Sequence, residues 1–275
     1  MLYSKTYGLQ KETRNYLRRL YTFNRELASS DIADLDNFIK GTKQLGIWQN
    51  MVCWPLRSQH NLGSGSTVLS LGGFSGGVFN GTLINGPTWA NDGITTNGTN
   101  NYVDISTSFA IQPSSAFSSL LLGRDNDITR ITKRTFQYLG GLTYGTGWTG
   151  GTNNTGSVLS ISSDPQNTNQ TVASSTTTAG TQNIAYCYGF NFSQGFQGFF
   201  SNGSNYSTTA VTFAGTIGSI HPTRGMRIWL GQVWGLFPAQ TYISFFHFNT
   251  FLSTTQHSQM YNLIKTTIGK GLGLP

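Results

Sequence analysis

Apolar positions recur at helical spacing near the two ends of this chain and alternate between them. Over residues 11–27, Tyr16, Leu20, Phe23 and Leu27 fall at i, i+4, i+7 and i+11. Lys11, Arg14, Arg18 and Arg25 fall on the opposite side. That spacing predicts an amphipathic helix with an apolar stripe and a basic face. Ser29-Ser30-Asp31 then offers an N-cap for a second helix. Ile32, Leu35, Phe38, Ile39, Leu45 and Trp48 follow at helical spacing, with Gly41 and Gly46 weakening the later turns and an end near residue 49. Trp54-Pro55 marks entry into extended structure, because proline cannot continue a helix.

From residue 72 to about 250 the pattern is that of strands. Val103 and Ile105 point one way and Tyr102 and Asp104 the other, as in a half-buried strand. Turn chemistry punctuates the stretch 80–105 at Asn85-Gly86-Pro87 and Asn97-Gly98, because Asn and Gly accept positive φ and Pro fixes it. Leu83, Trp89, Val103 and Ile105 are its expected core residues. Asn202-Gly203 predicts a two-residue hairpin turn, and 226–231 another strand. Residues 242–248 are apolar on both faces, which predicts a central strand covered on both sides. Residues 145–184 are rich in Gly, Thr, Asn and Ser and predict long loops and weak strands. At the end, Ser253-Thr254-Thr255-Gln256 reads as a capping box. Met260, Leu263, Ile264 and Ile268 form the stripe of a short helix, which Gly269 and Gly271 stop. The expected organisation is a basic helical arm over 1–49 and an all-β body over 50–275 that ends in a short helix.

Composition sharpens this. Charged residues are 10% of the 275, well below the roughly 25% of ordinary domains. The 18 Phe, 12 Tyr and 6 Trp can still fill a large core, which argues against disorder. The net charge is +7, and six of its cations lie in residues 1–27 against Glu12 and Glu26. The basicity is therefore a property of the arm, and nucleic acid is not an expected partner. No run of 18 apolar residues predicts a membrane span, and the first 15 residues lack the apolar core of a secretion leader. Cys53 and Cys187 both sit among apolar and aromatic neighbours; they read as two buried thiols, with a disulfide as the alternative.

Candidate chemistry is sparse. Gly73-Phe74-Ser75-Gly76-Gly77 has the letters of a serine nucleophile elbow but leads toward a strand, where that motif needs a helix. Gly145–Gly150 spells a dinucleotide fingerprint and is followed by Gly-Thr-Asn-Asn, with no helix N-terminus for a pyrophosphate. His60, His221, His247 and His257 are scattered without ligand spacing. Body carboxylates are limited to Asp92, Asp104, Asp125, Asp127 and Asp164, a poor supply for a paired-carboxylate hydrolase. Sugar recognition by aromatic faces on loops nominates Trp148, with Tyr144 and Tyr206 behind it.

The stretch 80–105, with Asn-Gly-Thr-Leu-Ile-Asn-Gly-Pro-Thr-Trp followed by Gly-Ile-Thr-Thr-Asn-Gly-Thr-Asn-Asn-Tyr-Val-Asp-Ile, resembles the opening strands of concanavalin A-like (laminin-G-like) jelly rolls. Residues 248–253, leading into the final helix, resemble the closing strand of such domains. The whole chain is similar to a structural protein of tailed bacteriophages. The resemblance implies a β-sandwich of jelly-roll type, a virion location and no enzymatic activity. The Glu-x-Asp-x-Glu strand of hydrolytic relatives is missing. Calcium is the one cofactor it suggests, at Asp125 and Asp127. The expected partners are other virion proteins and further copies of this chain. They would dock through Tyr16, Leu20, Phe23 and Leu27 or through Lys11, Arg14, Arg18 and Arg25. The alternative is a lectin-like module that recognises a host surface glycan.

Overall fold

A computed structural model describes residues 8–74, 77–106, 116–125, 132–139, 147–153, 158–162, 169–173, 184–191, 196–201, 204–210, 227–230 and 239–274. Between 106 and 230, side chains are described only at 118, 120–124 and 230. Helices α1 (Lys11–Thr22) and α2 (Ser29–Gln44) and a 3-10 turn (Trp48–Asn50) open the chain. Strands β1 (Met51–Pro55), β2 (Thr67–Val68), β3 (Gly72–Gly73), β4 (Gly81–Ile84), β5 (Thr88–Ala90), β6 (Gly93–Thr95) and β7 (Tyr102–Ser106) follow. Next come β8 (Ala116–Asp125), β9 (Thr132–Leu139), β10 (Gly147–Asn153), β11 (Val158–Ser162) and β12 (Asn169–Ala173). The last strands are β13 (Ile184–Asn191), β14 (Phe196–Ser201), β15 (Ser204–Ala210), β16 (Arg227–Leu230) and β17 (Gln240–Phe248), before helix α3 (Thr254–Thr266).

The strands form two large antiparallel sheets, consistent with a β-sandwich. The first runs β15-β14-β13-β8-β17-β1-β3, with β6 also on β17 and β5 on β6. The second runs β10-β9-β16-β7-β4-β2, and β11 and β12 make a separate pair. β17 lies at the centre of the first sheet, and all nine of its residues are buried. That is the doubly covered strand its apolar run predicts.

Register sorts the two faces. Cys53, Phe246 and Leu120 stand opposite one another across β1, β17 and β8. They share one core cluster with Tyr16, Leu20, Leu35, Phe38 and Ile264 of the helices. The Phe38 and Phe246 rings lie 5.8 Å apart. One residue over, Trp54, Phe245 and Leu121 form the neighbouring row on the other face. The Trp54 and Phe245 rings lie 5.9 Å apart. Side-chain alternation along a strand sends the two rows to opposite sides. The second sheet has its own buried positions at Leu83, Val103, Ile105 and Leu230.

The stretch 80–105 is where the chain passes between sheets. β4 and β7 belong to the second sheet, and the β5–β6 hairpin belongs to the first. Asn85 and Gly86, with φ of 57° and 70°, make the first passage, and Gly98, with φ of 74°, lies in the second. The turn residues therefore redirect the chain from sheet to sheet rather than closing hairpins. Leu83, Val103 and Ile105 are buried as expected, while Trp89 is half-buried and donates its indole N–H to Gly65 O at 3.0 Å.

Three local expectations shift. The first helix ends at Thr22, where the sequence pattern carries it to 27. The backbone turns at Asn24, with φ of 57°, and Leu27 reaches the core from a loop. α2 begins at Ser29 behind Ala28, which makes no side-chain cap. α3, by contrast, has the capping box that Ser253 and Gln256 predict. Gly41, read from sequence as a weak point, lets α3 come close: a Cβ there would lie 2.4 Å from Leu263 Cδ1.

The cysteine alternatives also resolve. Cys187 of β13 pairs with Leu120, Leu120 with Phe246, and Phe246 with Cys53. Three strand spacings separate the two cysteines, about 14 Å, twice the roughly 7 Å limit for a disulfide. Cys53 is a free buried thiol, and burial raises its pKa well above the ordinary value.

Candidate functional site

The apolar stripe of α1 does not form an open docking face. Tyr16, Leu20 and Leu27 are buried in the core under the helical layer. The chain's own first sheet presents an apolar face that needs cover, and this stripe supplies it. Phe23 alone stays out, 50% exposed beside Tyr21 at 52%. Polar contacts fix the helix further. Tyr16 OH donates to His60 O at 2.8 Å. Arg19 Nη2 donates to Ser70 O at 2.6 Å, and its guanidinium lies 5.3 Å from the centre of the Tyr16 ring. Burial pushes the Tyr16 phenol up and the Arg19 guanidinium down from their ordinary pKa values.

The basic face divides likewise. Arg25 donates to Ser58 O at 2.8 Å and Asn61 O at 3.3 Å, and Arg14 donates to Leu9 O. Lys11 and Arg18 are exposed. With Asn15, Arg19, Gly72, Gly73 and Val78 they line a cleft of about 630 Å³. Glu12, also on the lining, is paired with Lys43 at 2.6 Å. The cleft therefore has a surplus of positive charge suited to an anionic ligand. Gly73 lets β3 lie close against β1: φ is +132°, and a Cβ there would collide with the Met51 carbonyl.

A second cluster joins residues that sequence spacing leaves apart. Asp31 and Asp34, one turn apart on α2, meet His60, and one ligand atom from each lies within 4.8 Å of the others. His60 Nε2 is 3.9 Å from Asp31 Oδ1. The imidazole is fully buried, and neither ring nitrogen has a hydrogen-bond partner. Burial, with a smaller contribution from Arg57, pushes its pKa down to about 3, so the ring is neutral. Burial and then the neighbouring Asp34 raise the Asp31 pKa. Gln59 Nε2 donates to Asp31 Oδ1 at 3.1 Å, and Lys270 Nζ lies 3.7 Å from Asp34. Histidine spacing could not reveal this cluster, because a helix and a strand separate its members in sequence. Asp31 and Asp34 stand side by side on one helix, not across a cleft as in glycosidases that use a pair of carboxylates.

Arg57 is a buried hub without a sequence signal. It donates to the carbonyls of Ile268 and Lys270 at 3.0 Å each and of Asn91 at 2.7 Å. It thus ties the end of α3 to the body.

The loop candidates give less. Trp148 lies on β10 opposite Tyr138, and Tyr206 lies on β15; their side chains are outside the described residues. Asp125 ends β8 opposite Gln240, its side chain likewise not described. Tyr144 and Asp127 lie outside the described residues altogether. Because 147–153 form a strand, no helix follows the glycine-rich run at 145–150.

No protein-family model matches the chain, and no curated protein matches it by sequence. Among solved structures it is similar to Trypanosoma rangeli sialidase in complex with 2,3-difluorosialic acid. Identity is 8% and TM-score 0.59, with 87% of this chain and 39% of that one covered. It is also similar to the binding domain of botulinum neurotoxin serotype D, at 9% identity and TM-score 0.58, covering 79% of this chain and 52% of that one. The chain thus spans about 39% and 52% of the length of these two proteins. At such identities the likeness is one of fold. No helix among the described residues is long and apolar enough to cross a membrane.

Proposed function

We propose that this protein is a non-enzymatic structural component of a tailed-bacteriophage virion, built on a jelly roll, that seats an acidic segment of a neighbouring virion protein in the α1 cleft. The resemblance of residues 80–105 and 248–253 supports the jelly roll, and the resemblance of the whole chain, with its helical head and tail, supports the virion setting. The observation that carries the docking role is the cleft itself, lined by Lys11, Arg18 and Arg19. A structural role also accords with the way two further carboxylates are held. Asp36 accepts from Gln10 N and Thr13 Oγ1 at 2.7 and 2.6 Å, and Asp92 pairs with Arg124 at 2.6 Å.

A particle-incorporation assay tests this with the double variant Lys11→Glu, Arg18→Glu. Both residues are exposed, so the fold should persist while incorporation falls at least tenfold. Normal incorporation of the folded variant would refute docking through the cleft.

The second reading is glycan binding, with the same cationic cleft taking a carboxylated sugar or Trp148, Tyr144 and Tyr206 stacking on a neutral one. Sialidase in complex with sialic acid is among the fold neighbours, which suggests acidic sugars as the first ligands to try. A glycan array of the intact chain beside the cleft variant and Trp148→Ala separates these readings. Absence of binding to any glycan removes both lectin forms.

A further inference from the structure

Asp31, Asp34 and His60 have an unresolved chemical problem. The Asp31 and Asp34 carboxylates stand with one oxygen of each within 4.8 Å of the other. Beside them is a neutral imidazole, 0% exposed, with both nitrogens unpartnered. A buried polar atom without a partner is destabilising, so such atoms call for an explanation. The His60 ring is aimed at Asp31, its Nε2 3.9 Å from Oδ1, a distance too long for a hydrogen bond.

The backbone beneath the cluster is firmly held. His60 O accepts from Tyr16 OH at 2.8 Å, and His60 N donates to Arg57 O at 3.0 Å. Gln59 Nε2 on Asp31 Oδ1 orients one carboxylate, as outer-shell groups do around metals. Two cations oppose a further positive charge. Lys270 is 65% exposed and can swing from Asp34, while the Arg57 guanidinium is anchored on the carbonyls of Asn91, Ile268 and Lys270 and on Gln59 Oε1.

We propose that Asp31, Asp34 and His60 bind one zinc ion that clasps the first two turns of α2 to the turn at residues 57–60. One imidazole with two carboxylates suits zinc better than calcium or magnesium, which take all-oxygen sets. Zinc bonds of about 2.0–2.2 Å to nitrogen and oxygen need the three ligand atoms to close in by less than about 1 Å each, within reach of side-chain rotation. Water fills the fourth position, so three protein ligands suffice.

The test uses the full chain without a histidine tag, stripped with a chelator and titrated with zinc sulfate. Thermal denaturation and calorimetry report binding. The expected result is one zinc per chain and a saturable rise in Tm of about 5 °C, with magnesium at the same concentration giving no rise. Asp34→Asn and His60→Ala should each abolish the rise. Asp34 is partly exposed, so its variant keeps the test valid if His60→Ala does not fold. Absence of saturable zinc binding, or a rise that survives in Asp34→Asn, overturns the proposal.

Discussion

The two faces of β17 are equally buried but differently covered. Phe246 and Phe248 meet the helical layer, whereas Phe245 stacks near Trp54 on the other side. Trp54, Phe245, Phe246 and Phe248 are all large side chains exposed to less than 2% of their surface. The helical head is therefore a core layer of the same standing as the strands, and the basic arm cannot be treated as a detachable handle. Removing it would uncover Phe246, Cys53 and Leu120 together.

Removal of residues 1–28 should have the largest effect. It takes away Tyr16, Leu17, Leu20 and Leu27, all buried. At about 1.5–3 kcal/mol each, the loss rivals a typical domain's whole stability of about 5–15 kcal/mol. Soluble yield and far-UV circular dichroism should show a chain that does not fold; a stable, cooperative truncated body would make the helical layer dispensable.

Phe245→Ala and Phe246→Ala set one face against the other. Each should cost about 3–5 kcal/mol by urea denaturation. A cost below about 1 kcal/mol for Phe246→Ala alone would mean that the helices only rest on the sheet.

Acid should weaken both sides. His247 lies on β17 across from Val52, and His257 lies on α3. Burial pushes both down to about 3, from about 6.5 in the unfolded chain. The unfolded state therefore binds more protons between these values. Stability should be flat above pH 6.5 and fall below it by about 1.4 kcal/mol per pH unit for each histidine, levelling near pH 3. His60 shares this shift, so His257→Gln should lower the combined slope by about a third; an unchanged slope would assign the acid sensitivity elsewhere.

Smaller still is Tyr16→Phe, which leaves the buried carbonyl of His60 without its donor and should cost about 1–3 kcal/mol. The smallest change is expected from Lys11→Ala and Arg18→Ala. Both residues are exposed, and stability should stay within about 0.5 kcal/mol.

Some of this was legible along the chain. The alternation at Tyr102–Ile105, the apolar run at Tyr242–Phe248 and the capping box at Ser253 each depend on local periodicity or on contacts within four residues. They appear in the structure as the sequence predicts. The helix at 11–27 was legible as a helix but not in its end, because Leu27 is apolar for a tertiary reason and continues the helical pattern beyond the turn at Asn24. Trp89 reads as core and is half-buried, since its indole N–H is held by Gly65 near the surface.

The sequence by itself determined the elements: a helical start, a β body with Asn-Gly turns and a capped final helix. Its short-range chemistry leaves little choice in these. Tertiary structure decided what each surface faces. It turned the α1 stripe inward, because the first sheet had an apolar face to cover. It made the turns at 85–87 and 97–98 passages between sheets, and it held Cys53 and Cys187 three strands apart. It also brought His60 to Asp31 and Asp34, because meetings between residues on different elements are fixed by packing, which no periodicity along the chain encodes.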